Sequence, residues 1–472
     1  MRLAWSMPRC RPLARRLPRK GHRPTPRSSR SPPSSRASRR STRPRWRRRS
    51  IFRWALATAM ATERPAMTDA ALLSTPMPRR ALLRGLGASA MGALGLAELS
   101  FAKDAGSTPG VTRLAAVWRD GASAMAQDWA GVLEVLPQSG GGHAWRIAAR
   151  TELPTRGHGV QTLPGGQLVF AARRPGDWLL RWQPKTGALQ WAWMQEDRCF
   201  NGHVALAGPA TAQAWQAQAS AGGSGMLFTT ETDLEDSQGC IGLRDATSLE
   251  KLAEWRSHGM DPHELLVLPA ALGKLPAGTL VVANGGIPTQ SETGRSKKWL
   301  DSMDPSLVAL HPFDGRLLGQ WKLPDPRLSI RHLAWDAARQ RLGIALQAEH
   351  EDARRQSAPI FAVWDGQRLQ LAQDQPPLAG YGGSVECAPL AQGGFVVSCP
   401  KSDCMAWFDA QARYLGSSPQ GDVCPVALDG ARLWAGGGHG VTERSSRSRE
   451  QAVAALNTVT GLMFDNHWRL VG

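Results

Sequence analysis

The sequence predicts an all-β fold: a seven-bladed β-propeller closed by strands from both termini and preceded by a disordered, signal-bearing N-terminal region. Three observations carry this prediction. From about residue 112 onward, short β runs alternate with turn residues and few stretches keep a helical period. A unit of four such runs recurs along the chain. Three runs at its start lack a partner, which one run at its end can supply.

The unit is clearest at residues 158–193. Residues 158–163 (HGVQTL) read as a strand closed by Pro164-Gly165-Gly166, and 167–172 (QLVFAA) as a second. After the loop at 173–177 come a third strand, 178–183 (WLLRWQ), the tight turn Lys185-Thr186-Gly187, and a fourth strand at 188–193. Four antiparallel strands in about 45 residues make one propeller blade. Similar openers recur at Gly202-His203-Val204, Pro262-His263-Glu264, Arg331-His332-Leu333, Gly383-Ser384-Val385 and Cys424-Pro425-Val426. The longer intervals between them carry longer loops, notably residues 285–303.

Runs at 113–118, 131–136 and 144–149 precede the first opener and lack an innermost strand. Residues 466–471 (NHWRLV) begin like the openers and are expected to fill that place. Joining the ends removes the open sheet edges that invite aggregation. The 16 tryptophans beyond residue 102 suit the wedge-shaped gaps between blades. A pair of β-sandwiches explains the recurring openers less well.

The 472-residue chain carries a formal charge of +18, which taken whole suggests nucleic acid or an anionic surface. All of it lies in residues 1–50, which hold seventeen Arg, one Lys and no acid. Beyond residue 102 the count is 34 basic against 36 acidic side chains, so no basic nucleic-acid footprint remains. Residues 1–76 are read as an Arg/Pro/Ser-rich extension, unable to offset its chain entropy by burial and expected to lie upstream of the true start.

Residues 77–102 are read as an export signal. Pro78-Arg79-Arg80 leads into a mild Ala/Gly-rich apolar run, and Ser100-Phe101-Ala102 offers small residues for cleavage. Together they resemble a twin-arginine signal, implying a periplasmic protein. No later stretch reaches about 18 apolar residues, so stable membrane insertion after cleavage is not expected. The propeller is assigned residues 103–472. Its six cysteines, Cys199, Cys240, Cys387, Cys399, Cys404 and Cys424, show no zinc spacing, and their pairing stays open.

In a blade, the start of the first strand and the end of the antiparallel second lie on one face. The openers therefore converge with the second-strand ends at one channel mouth. The candidate ligand-binding residues are His158, Arg173, Arg174, His203, Glu231, His263, Asn284, Arg331, His332, Gln347, Tyr381, Ser384 and His467. Neutral imidazoles suit a transition metal, so His158, His203, His263, His332 and His467 are the metal candidates, with iron or another transition metal as the cofactor. The width of a seven-fold mouth suggests that two or three adjacent histidines, helped by Glu231, could share one ion, but not all of them. Each histidine could instead tie one blade to the next by a hydrogen bond. Arg173-Arg174 suits a carboxylate or phosphate. No GxSxG, HExxH or P-loop appears. Residues 442–450, rich in Ser and Arg, read as a mobile surface loop.

Several segments resemble the domain of unknown function family 1513. They include Thr229-Thr230-Glu231, residues 257–265 (SHGMDPHEL), residues 282–287 (VANGGI), residues 329–334 (SIRHLA), Tyr381-Gly382-Gly383-Ser384-Val385 and Asp465-Asn466-His467. The resemblance implies a Tat-exported YVTN/WD40-like propeller encoded beside imelysin-type periplasmic proteins in iron-uptake loci, and it implies no particular reaction. The chain departs from the family's Ser-Pro by having Ser398-Cys399-Pro400, and its Cys404 and Cys424 make a local disulfide worth testing. The leading expectation is a periplasmic binding or scaffold protein of iron acquisition whose His-lined mouth holds a metal species or a partner protein. The alternative is a metal-dependent redox or hydrolytic enzyme using the same mouth.

Overall fold

The computed structural model describes residues 110–472 except 124, 140–141, 196, 210, 214–224, 292–298, 356, 389, 391–392, 438–439, 446–451 and 455–460. The expected extension (1–76) and export signal (77–102) lie outside the described residues.

The period-2 runs do form strands. The first three are β1 (Thr112–Asp120), β2 (Asp128–Pro137) and β3 (His143–Leu153). Next, β4 (Gly157–Leu163), β5 (Gln167–Ala172), β6 (Trp178–Gln183) and β7 (Ala188–Trp193) make a four-stranded sheet in chain order. Four more such sheets follow. They are β8 (Arg198–Leu206), β9 (Met226–Asp233), β10 (Gln238–Asp245) and β11 (Lys251–Met260); then β12 (Pro262–Val267), β13 (Leu280–Asn284), β14 (Ser306–Leu310) and β15 (Leu317–Trp321); then β16 (Leu328–Asp336), β17 (Arg341–Ala348), β18 (Phe361–Trp364) and β19 (Leu369–Leu371); then β20 (Val385–Cys387), β21 (Phe395–Cys399), β22 (Cys404–Phe408) and β23 (Tyr414–Pro419). The last strands are β24 (Val426–Asp429), β25 (Arg432–Gly437), β26 (Gly440–Ser445), β27 (Ala452–Ala454) and β28 (Leu462–Leu470).

These last five join β1–β3 in an eight-stranded sheet ordered β27-β26-β25-β24-β28-β1-β2-β3. Its two halves meet weakly: β28 touches β24 through one parallel pair, Val426↔His467, but pairs antiparallel with β1 from Leu114↔Leu470 to Asp120↔Leu462. The C-terminal strand thus sits beside the N-terminal three, as their missing partner suggested. One expectation is corrected. Residues 442–445 are not loop but the end of β26, where Thr442 pairs with Ala435 and Arg444 with Leu433. The β-branched and small residues before the serines extend the ladder further than the charge pattern indicated.

Burial follows position in the sheet. The middle strands β9, β13, β14, β18, β21 and β22 are buried along their whole length, while the outer β11 mostly alternates half-buried with exposed residues. Each sheet packs face to face on the next. Phe170 and Trp178 pack with Val117 and Val132 of the preceding strands, and Phe361 with Phe395 and Phe408 of the following sheet. Trp118, Trp434 and Trp468 share one cluster between the halves of the eight-stranded sheet. Each fully buried side chain of this size contributes about 1.5–3 kcal/mol.

Candidate functional site

Five strands each carry one histidine, and the five imidazoles gather in one cluster. In nine of the ten pairs among His158, His203, His263, His332 and His467 the ring centroids lie 4.6 to 5.9 Å apart. They come from β4, β8, β12, β16 and β28, spread over 309 positions of the chain. The strands aim them by breaking register. The ladders slip between Gly157 and Val160, Phe200 and Val204, Pro262 and Leu265, and Ile330 and His332, and the β1–β28 ladder slips opposite Phe464–Trp468. A bulge turns a side chain away from its ladder direction and often lies beside a functional site.

Close approach of β4 and β8 needs glycine. Gly202 has φ +101°, and a Cβ there would stand 2.7 Å from the His158 ring.

One ligand atom from each of His158, His203, His332 and His467 falls within 4.8 Å of the others, and all four residues are buried. Four of the five histidines thus group together, one more than the expected two or three, while His263 lies outside the group. Among the described residues, nothing hydrogen-bonds to Nε2 of His158, His203 or His467, although these atoms are buried. The Nε2 atoms of His263 and His332 face each other at 2.9 Å, and His263 Nδ1 lies 3.3 Å from Arg331 Nη1. Burial lowers the pKa of all five; the neighbouring imidazoles add to this for His203, His332 and His467, and Arg331 for His263. At neutral pH the cluster is a set of neutral nitrogen donors.

A polar layer lies above the rings. His158 Nδ1 bonds Asp465, whose carboxylate also accepts from Arg156 Nε at 2.7 Å and Arg173 Nη1 at 3.0 Å. Burial opposes the charge of Asp465, but Arg173, His158 and Arg156 outweigh it and hold the carboxyl well below its usual range. Asp261, fully buried, pairs with Arg174 at 2.8 Å and Arg331 at 2.9 Å, and Arg331 also reaches Glu349 at 3.1 Å. Burial works against the Arg331 charge, yet Asp261 and Glu349 raise its pKa on balance.

Between this layer and the rings is a cavity of about 100 Å³. His158, His263, His332, Arg173, Arg174, Arg331, Asn201, Gln347, Tyr381 and Asn466 line it. Most of the expected mouth residues are therefore together.

Three are elsewhere. Glu231 is buried within its own sheet, bonded to Arg244 at 2.8 Å and Lys251 at 2.6 Å, so it is not a ligand helper. A second-strand carboxylate facing between strands finds cations there rather than at the axis. Asn284 is spent on Ser257 and Ser306. Ser384 is buried with its backbone N–H on Ser398 Oγ, and it does not line the cavity.

The sequence reading missed Arg156, Asn201, Asp261 and Asp465. Each stands two residues before a cluster histidine, a spacing visible in the sequence itself. That signal was available. In β16 the corresponding residue is Ile330, and the slip beside it lets Arg331 take the polar role.

All six cysteines of the described residues are free. Cys404 lies opposite Cys399 in the β21–β22 ladder.

The fold and site define a class: a β-propeller whose axial strands bring histidines to a common point. The family described as Protein of unknown function (DUF1513) matches residues 151–471, and the chain belongs to it. No curated protein matches the chain. Solved structures similar to it include the Dos1 propeller, 11% identical over 70% of this chain and 77% of that one, with a TM-score of 0.44. BamB from Moraxella catarrhalis is 11% identical over 69% and 88%, with a TM-score of 0.40. The Neurospora crassa Pan2 WD40 domain is 10% identical over 74% and 90%, with a TM-score of 0.44. Among the described residues no helix is long and apolar enough to cross a membrane.

Proposed function

We propose that this chain is an exported, periplasmic propeller that binds a first-row transition metal ion at His158, His203, His332 and His467, in the service of iron acquisition. The eight-stranded sheet counts as two blades in this reading, giving seven, with β28 closing the ring beside β1. The single observation that carries the proposal is the set of buried ring nitrogens without partners, Nε2 of His158, His203 and His467 and Nδ1 of His332, in a group of four imidazoles whose ligand atoms lie within 4.8 Å of one another. Buried ring nitrogens are ordinarily paired, and leaving several bare costs about 1–3 kcal/mol each. A metal ion satisfies them at once.

The donor chemistry fits. A metal–nitrogen length of about 2.1 Å places tetrahedral nitrogens about 3.4 Å apart, so the cluster closes on an ion by small ring movements. His158 presents one nitrogen to Asp465 and the other to the cluster, the arrangement in which a carboxylate orients a ligating imidazole. Nitrogen donors favour ferrous over ferric iron, and cupric ion binds such sites most tightly. Imelysin-type periplasmic proteins are the proposed partners.

The test is metal analysis of the exported protein, followed by titration of the metal-free form with ferrous, ferric and cupric ions. One divalent ion per chain is expected, lost in His203→Ala and His332→Ala. A folded wild-type protein that binds none of them overturns the reading.

The cavity beside the rings favours a second reading, a metal enzyme, since a compact cluster next to open space suits catalysis better than storage. Its test is turnover of a peroxide or an ester by the loaded protein.

A further inference from the structure

The cavity above the imidazoles has a chemistry of its own. Its lining includes three guanidinium groups, three carboxamides and the ring of Tyr381, and no acid. The acids lie behind the arginines: Asp465 behind Arg173, and Asp261 and Glu349 behind Arg174 and Arg331. Arg156 shares Asp465, and Arg354 approaches Glu349 at 3.7 Å, so the guanidinium groups outnumber the carboxylates that face them. Arg331 Nε is buried with no partner among the described residues.

Neutral histidines leave the charge of a divalent ion uncompensated, and a buried charge without a counter-charge is costly. The cavity volume of about 100 Å³ admits a few heavy atoms and is too small for an organic cofactor, whose pockets run to about 300–1,000 Å³.

We propose that this cavity is a binding site for a small planar oxygen anion of the carboxylate or bicarbonate class. One anion oxygen donates a lone pair to the metal held by the histidines, and the others accept hydrogen bonds from Arg174 and Arg331. No electron moves and no proton transfer is needed. Planar oxyanions match the fork of guanidinium donors, whereas a spherical halide uses fewer of them. The inference rests on the metal reading. Metal and anion are then linked partners, each tightening the other by one common factor.

The experiment loads the metal-free full chain with Co(II) in a buffer without carboxylate or carbonate, then titrates formate, acetate and bicarbonate, with chloride as a control. The visible Co(II) bands report the change in coordination. The expected result is a saturable band shift with the three oxyanions and a Co(II) affinity raised about tenfold at saturation. Arg174→Gln is expected to take up Co(II) in the anion-free buffer and to lose most of that shift, while Asp261 keeps Arg331 as its partner. Co(II) uptake whose spectrum and affinity ignore all three anions overturns the anion site and leaves the metal reading standing. Failure of Co(II) uptake by folded protein overturns the metal reading, and this inference with it.

Discussion

His158 and Asp465 are bonded through Nδ1 and Oδ1 although 307 positions separate them in the chain. This contact joins the first complete sheet to the C-terminal strand, and it fixes which His158 nitrogen faces the cluster. Asp465 is buried and serves two arginines as well. Replacing it with Asn leaves Arg156 and Arg173 short of a counter-charge. Asp465→Asn is expected to lose about 3–5 kcal/mol of stability and 10- to 100-fold in metal affinity. Denaturant unfolding and metal titration of the purified variant check both; unchanged metal affinity would remove Asp465 from the site.

If the cluster holds a metal as proposed, loading is expected to stabilise the native chain, because the unfolded chain does not assemble the cluster. Free ion at about 100 times the dissociation constant adds about 2.7 kcal/mol. Melting curves with Co(II) and with a chelator should differ by several degrees, and His203→Ala should abolish the difference without removing the cooperative transition.

The histidines also set an acid limit. Their folded-state pKa values are lowered, so between the unfolded value near 6.5 and the lower folded values the unfolded chain binds protons that the native chain refuses. Stability is kept above about pH 6.5 and falls as pH drops, by about 1.4 kcal/mol per pH unit for each histidine titrating. Glu264 acts in the opposite sense: burial raises its pKa to about 7, so its contribution declines as pH rises from about 4.5 to 7. Metal-free stability should therefore fall steeply below pH 6, and Glu264→Gln should raise stability at pH 8 relative to the parent. A flat urea midpoint between pH 5 and 7 contradicts the neutral buried cluster.

Gly202 tests the packing of the axial strands. Gly202→Ala places a Cβ against the His158 ring at positive φ. The expected cost is about 1–3 kcal/mol, with weakened metal uptake because His158 must move. Unfolding midpoints at fixed metal concentration read both effects.

Cys399 and Cys404 are register partners on β21 and β22. Treatment with oxidised glutathione should link these two thiols, the two electrons passing to the glutathione disulfide. Peptide mapping should find Cys399 joined to Cys404, with metal affinity unchanged. A Cys404–Cys424 link would contradict the register.

Much of this architecture was legible from residue order. The strand at 167–172 and the one at 178–183 follow from alternation between turn residues, and the convergence of His158, His203, His263, His332 and His467 follows from blade geometry. The tightness of the cluster was not legible, because a bulge at Ile330–His332 or Phe200–Val204 leaves no mark in composition. Glu231 and Asn284 looked like mouth residues because they end or border second strands. Which way such a side chain turns depends on partners such as Lys251 and Ser257, brought alongside only by tertiary pairing.

The order in which the site is made follows from where β28 falls. A nascent chain that has reached residue 461 holds His158, His203, His263 and His332, but neither His467 nor the carboxylate that orients His158. All five four-stranded sheets, β4 to β23, are synthesised before the last member of the cluster. On the proposed metal reading, capture waits until translation has delivered the last strand, because His467 and the carboxylate beside His158 arrive together.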